Sequence, residues 1–179
     1  MGFESFLISG MKLLKRLRLL SLGGVDVSML HSDTFFDMLS CLSILKDIVF
    51  PNSNISVIAS DGISRCFEAL ESLRYVKSLD MGSTEIRKHI QRDLARVLPP
   101  LQLLEKLKLK LSSHLELNDK SANELFVALG KLKYLKELSI ISDDLRRVFR
   151  GDALPEVLPS LQLLEKLELG FYITTDHCK

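Results

Sequence analysis

The sequence predicts an α/β solenoid, with a parallel sheet lining a concave side and helices on the convex side, on the strength of three observations. A thirteen-residue passage, Val97 to Leu109, returns sixty positions later as Val157 to Leu169 with only two changes, Pro100 to Ser160 and Lys108 to Glu168. A short template, apolar-x-x-apolar-x-apolar, recurs six times at first-position spacings of 31, 31, 28, 31 and 29 residues. The apolar period is two inside each template and close to four between templates, so strand and helix alternate. A unit of one strand and one helix cannot bury its own apolar face, and stacks on its neighbours instead. Helices are wider than strands, so the stack curves with the sheet on its inner side.

Taken in order, the template reads Leu14-Leu17-Leu19, Leu45-Ile48-Phe50, Val76-Leu79-Met81, Leu104-Leu107-Leu109, Leu135-Leu138-Ile140 and Leu164-Leu167-Leu169. These place strands near 16–20, 47–51, 78–82, 106–110, 137–141 and 166–170, all within a single domain, 1–179. Phe35, Leu39 and Leu42 form the apolar stripe of the first intervening helix, and Phe67, Leu70 and Leu73 that of the second. Ile86, Ile90, Leu94 and Leu98 mark the third, which Pro99-Pro100 closes. Ser121-Ala122-Asn123-Glu124 fits a capping box for the helix carrying Leu125, Leu129 and Leu132. The interval from Ser142 to Leu158 contains Gly151 and Pro155, which predict a shortened or broken helix there.

The length of 179 residues suits one compact domain, and an apolar fraction of 46% suffices for a continuous core. The net charge of +1 supplies no overall field, so any electrostatic recognition is local. Cys41, Cys66 and Cys178 are too few for a disulfide framework, which favours a reducing, cytoplasmic setting. Asn54-Ile55-Ser56 is a glycosylation triplet with meaning only in a secreted chain. Lys12, Lys15, Arg16 and Arg18 break the apolar start, so no signal peptide is read there. No segment is long enough to span a bilayer, and Phe6 occupies the hydroxyl position a myristoylation signal needs. Membrane association is therefore not expected.

Chemistry-bearing patterns are sparse. His31, His89, His114 and His177 fall in different units without zinc-ligand spacing, and His177-Cys178 alone cannot define a tetrahedral site. Cys41 and Cys66 sit beside apolar residues on helices, as core fillers. There is no Gly-x-Ser-x-Gly elbow, and Gly23-Gly24 leads to Val25-Asp26-Val27 where a phosphate loop requires Gly-Lys-Ser/Thr. No metal, cofactor or catalytic residue is expected, and the chain reads as a non-enzyme. Strand alternation instead sends polar residues to the concave surface in columns. One column reads Arg16, Asp47, Ser78, Lys106, Glu137 and Lys166; the next reads Arg18, Val49, Asp80, Lys108, Ser139 and Glu168. Lys106, Lys108 and Lys110 concentrate positive charge on one strand, flanked by Lys136 and Lys166. This suits an acidic protein surface or a phosphate-bearing ligand, or else a solvated face that resists aggregation. Nucleic acid is disfavoured, since carboxylates interleave and no aromatic stands among the lysines to stack a base.

With Leu-x-x-Leu-x-Leu strands and helical returns of this length, the chain resembles leucine-rich-repeat proteins of the ribonuclease-inhibitor class, over about nine tenths of its length. The motif's usual asparagine position holds Leu22, Ser53, Thr84, Ser112, Asp143 and Tyr172. That departure is similar to the irregular repeats at the carboxy-terminal end of NOD-like innate immune receptors. The resemblance implies a protein-recognition module that senses a ligand and restrains a switch domain in an intracellular receptor. A stand-alone ribonuclease-inhibitor-like protein or GTPase regulator is the alternative it allows. Such a receptor also carries a nucleotide-binding domain, so the chain is expected to be a fragment or truncated product. The apolar last strand before Thr174 to Lys179 lacks a polar cap, which predicts self-association through an open end.

Overall fold

A computed structural model describes residues 10–11, 13–22, 33–50, 68–86, 88–111, 120–142 and 153–171. The glycosylation triplet, Gly23-Gly24, Cys66, His31, His114 and the tail beyond 171 lie outside these residues, as do Ser53, Ser112, Asp143 and Tyr172. Six strands, β1 (Leu19–Ser21), β2 (Asp47–Val49), β3 (Ser78–Ile86), β4 (Lys106–Leu111), β5 (Glu137–Ser142) and β6 (Lys166–Phe171), form one sheet in chain order. Every pairing is parallel. Each strand thus joins the sheet beside its predecessor after a helical return, which is how a solenoid grows.

The returns include α1 (Asp33–Cys41), α2 (Lys88–Val97), α3 (Lys120–Leu129) and α4 (Ala153–Val157), and residues 68–72 are also helical. Along the second layer α2 packs on α3, and α3 on α4. Between the layers the template leucines form ladders: Leu45, Val76, Leu104 and Leu135 are fully buried, as are Leu79, Leu107 and Leu138 on the strands. Met38, Leu39, Leu70, Leu94, Leu125 and Leu129 close the core from the helical side. Each unit enters its strand through a tight turn in which the first template residue donates its amide to a leucine carbonyl three residues back. Leu45 to Leu42, Leu104 to Leu101 and Leu164 to Leu161 each measure 3.0 Å. A buried leucine at both ends of the turn explains the Leu-x-x-Leu ahead of β2, β4 and β5.

Three local expectations are corrected. The first unit is in register three residues later than its sequence template suggests, because Leu19 pairs with Asp47 and Leu20 with Ile48. Leu17, Leu20 and Leu22 therefore occupy the ladder positions, Leu20 and Leu22 being buried and Leu14 exposed. Ile86 belongs to β3 rather than to the following helix, since β3 continues past an irregularity between Met81 and Glu85 to pair Ile86 with Leu111. α3 starts at Lys120, so Ser121 lies within the first turn and is not the residue ahead of it. The helix before the last unit is short: α4 has five residues and runs into a 3-10 turn, Leu158–Ser160, with Pro155 in its first turn, where a missing amide costs no helical bond.

Candidate functional site

The open face of the sheet is built by the residues that alternate with the buried ladder. On β4 the burial alternates so that Leu107, Leu109 and Leu111 are buried while Lys106, Lys108 and Lys110 are not. The parallel register lines Lys106 up with Ser78 on one side and Glu137 on the other, and Lys108 with Asp80 and Ser139. On the last strand Lys166 stands beside Glu137 and Glu168 beside Ser139. A shallow cavity of about 210 Å3 opens at the centre of this face, with Asp80, Lys106, Lys108, Glu137, Ser139 and Glu168 among its walls.

Electrostatically the face is mixed, and two of its lysines stand in ion pairs. Lys106 Nζ lies 2.6 Å from Glu137 Oε1, and Lys166 Nζ lies 3.7 Å from Glu168 Oε2. The hydrogen bond between Lys106 and Glu137 holds the carboxyl of Glu137 below the ordinary carboxylate range and pushes the ammonium of Lys106 up. For Lys106 the neutralisation follows from the register, which sets Glu137 on the neighbouring strand, whereas Lys166 pairs along its own strand with Glu168. Lys108 differs. Its stem lies across the backbone of Gly82, so that a Cβ there would stand 2.7 Å from Lys108 Cγ. Asp80, its neighbour in register, accepts a 2.8 Å hydrogen bond from the Gly82 amide. No ion pair of Lys108 occurs among the described residues. Ser139 Oγ, in the wall of the same cavity, is buried without a hydrogen-bond partner. The Lys108 ammonium can receive an acceptor oxygen of another molecule, and the Ser139 hydroxyl in the wall of the same cavity lacks an acceptor of its own.

Several expected site residues lie elsewhere. Arg16 and Arg18 precede β1, and the concave positions of the first unit belong to Leu19 and Ser21. Lys136 precedes β5 and lies with Glu105 and Lys77 at the turn, where it forms a 3.0 Å ion pair with Glu105. Lys77 binds the other oxygen of Glu105. These two hydrogen bonds, Lys77 first and then Lys136, lower the Glu105 carboxyl from 4.5 to about 2. Asp47, Asp80, Lys106, Lys108, Lys110, Glu137, Lys166 and Glu168 do stand on strands, with Lys110 opposite Glu85 and Ile141. The orphaned Ser139 hydroxyl was not singled out by sequence, since a serine in an alternating strand carries no mark of its partners.

Among the described residues no group of three or more His, Cys, Asp and Glu side chains is placed to hold a metal ion. No described helix is long and apolar enough to cross a membrane. No protein-family model and no curated protein matches the sequence. Among solved structures, the chain is similar to the actin-binding site 2 of leiomodin-1 with a TM-score of 0.64, at 13% identity, over 90% of this chain and 91% of that one. The likeness is one of fold, a leucine-rich-repeat solenoid, and the six-stranded parallel sheet agrees with it.

Proposed function

We propose that this leucine-rich-repeat chain is a non-enzymatic protein-recognition module that takes its partner on the open face of the sheet. The observation that carries the reading is the centre of that face, where Lys108 is without an ion pair among the described residues and Ser139 Oγ is unsatisfied in the same cavity. A protein surface bringing a carboxylate or backbone carbonyls would satisfy both, and the balanced charges around them set orientation more than net attraction. The structural neighbour supports a binding role, because its name describes a binding site. Actin, the ligand in that name, is accordingly the first defined probe to try.

The finer reading, a sensing and restraining repeat region of an intracellular innate immune receptor in the cytoplasm, rests on the sequence resemblance alone. A stand-alone inhibitor or GTPase regulator differs from it by forming a tight one-to-one complex through the open face. Self-association belongs to the proposal as well, since Leu167 and Leu169 on β6, the last strand of the sheet, are 40% and 41% exposed.

The test measures binding of actin, and of proteins captured from cytosol, to the wild-type chain, Lys108→Glu and Lys106→Glu. Loss of a partner with Lys108→Glu, and a smaller loss with Lys106→Glu, supports the open face as the recognition surface. Identical binding by all three overturns it.

A further inference from the structure

The turns that lead into the strands stack into a ridge along one rim of the solenoid, and the ridge has a composition unlike the rest of the chain. Its units are tied by backbone hydrogen bonds: the Lys77 amide donates to the Lys46 carbonyl at 2.7 Å, Glu105 to Lys77 at 2.8 Å, Lys136 to Glu105 at 2.8 Å and Glu165 to Lys136 at 2.8 Å. Within each turn the residue just before the buried ladder leucine is apolar and exposed in five successive units. It is Ile44, Tyr75, Leu103, Tyr134 and Leu163, with exposures of 37%, 56%, 38%, 52% and 46%. Arg16 holds the same place in the first unit. Apolar side chains at a solvent-facing turn position, repeated five times, leave more than a third of each residue's surface open to a partner.

Charges border this stripe on both sides. The residue before it is Lys15, Ser43, Arg74, Gln102, Lys133 and Gln162; the residue after the buried ladder position is Arg18, Lys46, Lys77, Glu105, Lys136 and Glu165. Beside the five apolar rungs the rim holds five cations and two carboxylates, and Lys15, Arg16 and Arg18 of the first unit add three cations at its end, on a chain whose net charge is +1. One of the two carboxylates, Glu105, is already clamped between Lys77 and Lys136. Lys15, Arg16, Arg18, Lys46, Arg74 and Lys133 make no ion pair among the described residues. The surplus is thus directed outward.

We infer that this rim docks an acidic amphipathic helix of a partner protein. Parallel strands advance by about 4.8 Å, so successive rungs of the stripe stand about 5 Å apart. A helix presents one apolar residue every three or four positions, an advance of about 5 Å along its axis, whereas alternate residues of an extended strand are separated by about 6.6 Å. The five rungs from Ile44 to Leu163 match about 13 residues of helix. Acidic residues on either side of the helix's apolar stripe meet the cations on either side of the rim, the arrangement of a helix laid on a complementary surface. A lipid surface fits less well, because the stripe is one residue wide and Ile44 and Leu103 are less than two-fifths exposed.

The test uses a fluorescent synthetic helix of about 14 residues, with leucine at every third or fourth position and glutamate elsewhere, by anisotropy. Its controls are the same helix with serine for leucine or lysine for glutamate, and phosphatidylserine vesicles. The protein variants are Tyr75→Ser/Tyr134→Ser and Arg74→Glu/Lys133→Glu, all at exposed positions, with folding checked by thermal melting. The wild type is expected to bind the glutamate-leucine helix, and each double variant to weaken it about tenfold or more. Lys108→Glu on the open face is expected to leave it unchanged, which separates this surface from the one proposed above. Equal binding of the serine helix, an unaffected tyrosine variant, or binding to vesicles in place of the helix overturns the inference.

Discussion

Two passages of this chain are almost the same sequence and live in different surroundings. In the fourth unit Leu107 and Leu109 are 2% and 0% exposed; in the sixth, Leu167 and Leu169, at the same places in the repeat, are 40% and 41% exposed. The backbone is alike in both, since β4 and β6 have six residues each and enter through the same leucine-closed turn. What differs is the neighbour. β4 lies between β3 and β5, whereas among the described residues β6 pairs with β5 alone. Burial in a solenoid is supplied by the next unit, so one sequence makes a core leucine in one place and a surface leucine in another.

The largest effect that follows is on stability. Leu109→Ala removes a fully enclosed side chain and is expected to cost about 3 kcal/mol, while Leu169→Ala at the open side costs about 1 kcal/mol. Urea unfolding of the two variants measures the difference, and equal losses would mean that β6 is covered in solution. Association is expected next in size. If copies meet through β6, Leu169→Lys weakens self-association about tenfold, roughly 1.4 kcal/mol, whereas Leu103→Lys on the rim does not. Analytical ultracentrifugation over a concentration series distinguishes them, with the melting temperature confirming that each variant is folded.

The same comparison explains how much the sequence disclosed. The later units are aligned by the regular spacing of their leucines, although the bare template also fits earlier frames there, Leu39-Leu42-Ile44 and Leu98-Leu101-Leu103 among them. In the first unit Leu14-Leu17-Leu19 and Leu17-Leu20-Leu22 both satisfy it, and unit lengths vary too much to choose. Pairing with β2 decides, a contact between units that no single unit encodes. The pairing of Lys106 is hidden in the sequence for a related reason. Its carboxylate, Glu137, is 31 residues away in sequence and one strand away in space. The rim stripe is not legible in the sequence because its residues lie just ahead of the template, where apolar identity is informative only once exposure is known.

Glu105 and Glu165 sharpen the comparison at the level of charge. They occupy the same place in the duplicated passage, yet only Glu105 has a lysine on both sides, Lys77 from the unit before and Lys136 from the unit after. Its carboxyl is lowered from 4.5 to about 2 by those two hydrogen bonds, and the contribution to stability is therefore present above about pH 4.5 and lost as pH falls towards 2. Lys136 is raised above 10.5 by the same contact, so its contribution holds below that value and is lost at higher pH. Lys77 and Lys136 reach solvent and Glu105 is a quarter exposed, so the effect is modest and screened by salt. Glu105→Gln is expected to lower the urea midpoint at neutral pH and to converge with the wild type near pH 2. Glu165→Gln, with no ion pair to lose among the described residues, serves as the control.

The smallest effect separates two glycines at one position of the repeat, Gly82 on β3 and Gly170 on β6. A methyl group on Gly170 would meet only Ile141 Cγ1 at 3.5 Å and Cγ2 at 3.9 Å, ordinary contacts. Gly170→Ala is therefore expected to raise stability slightly, by about 0.5 kcal/mol, through lost freedom in the unfolded chain. On Gly82 the same methyl would stand 2.6 Å from Lys108 Cδ and 2.7 Å from Cγ, so the lysine stem must move off the backbone it covers. A flexible side chain can do this at little cost, and stability alone should barely register it. Binding on the open face should register it instead, because Lys108 lines the same cavity as Ser139 there. Gly82→Ala lowering the affinity for a partner of that face, while Gly170→Ala leaves it intact, would tie recognition to the position of Lys108 and not merely to its charge; equal affinities would leave only the charge.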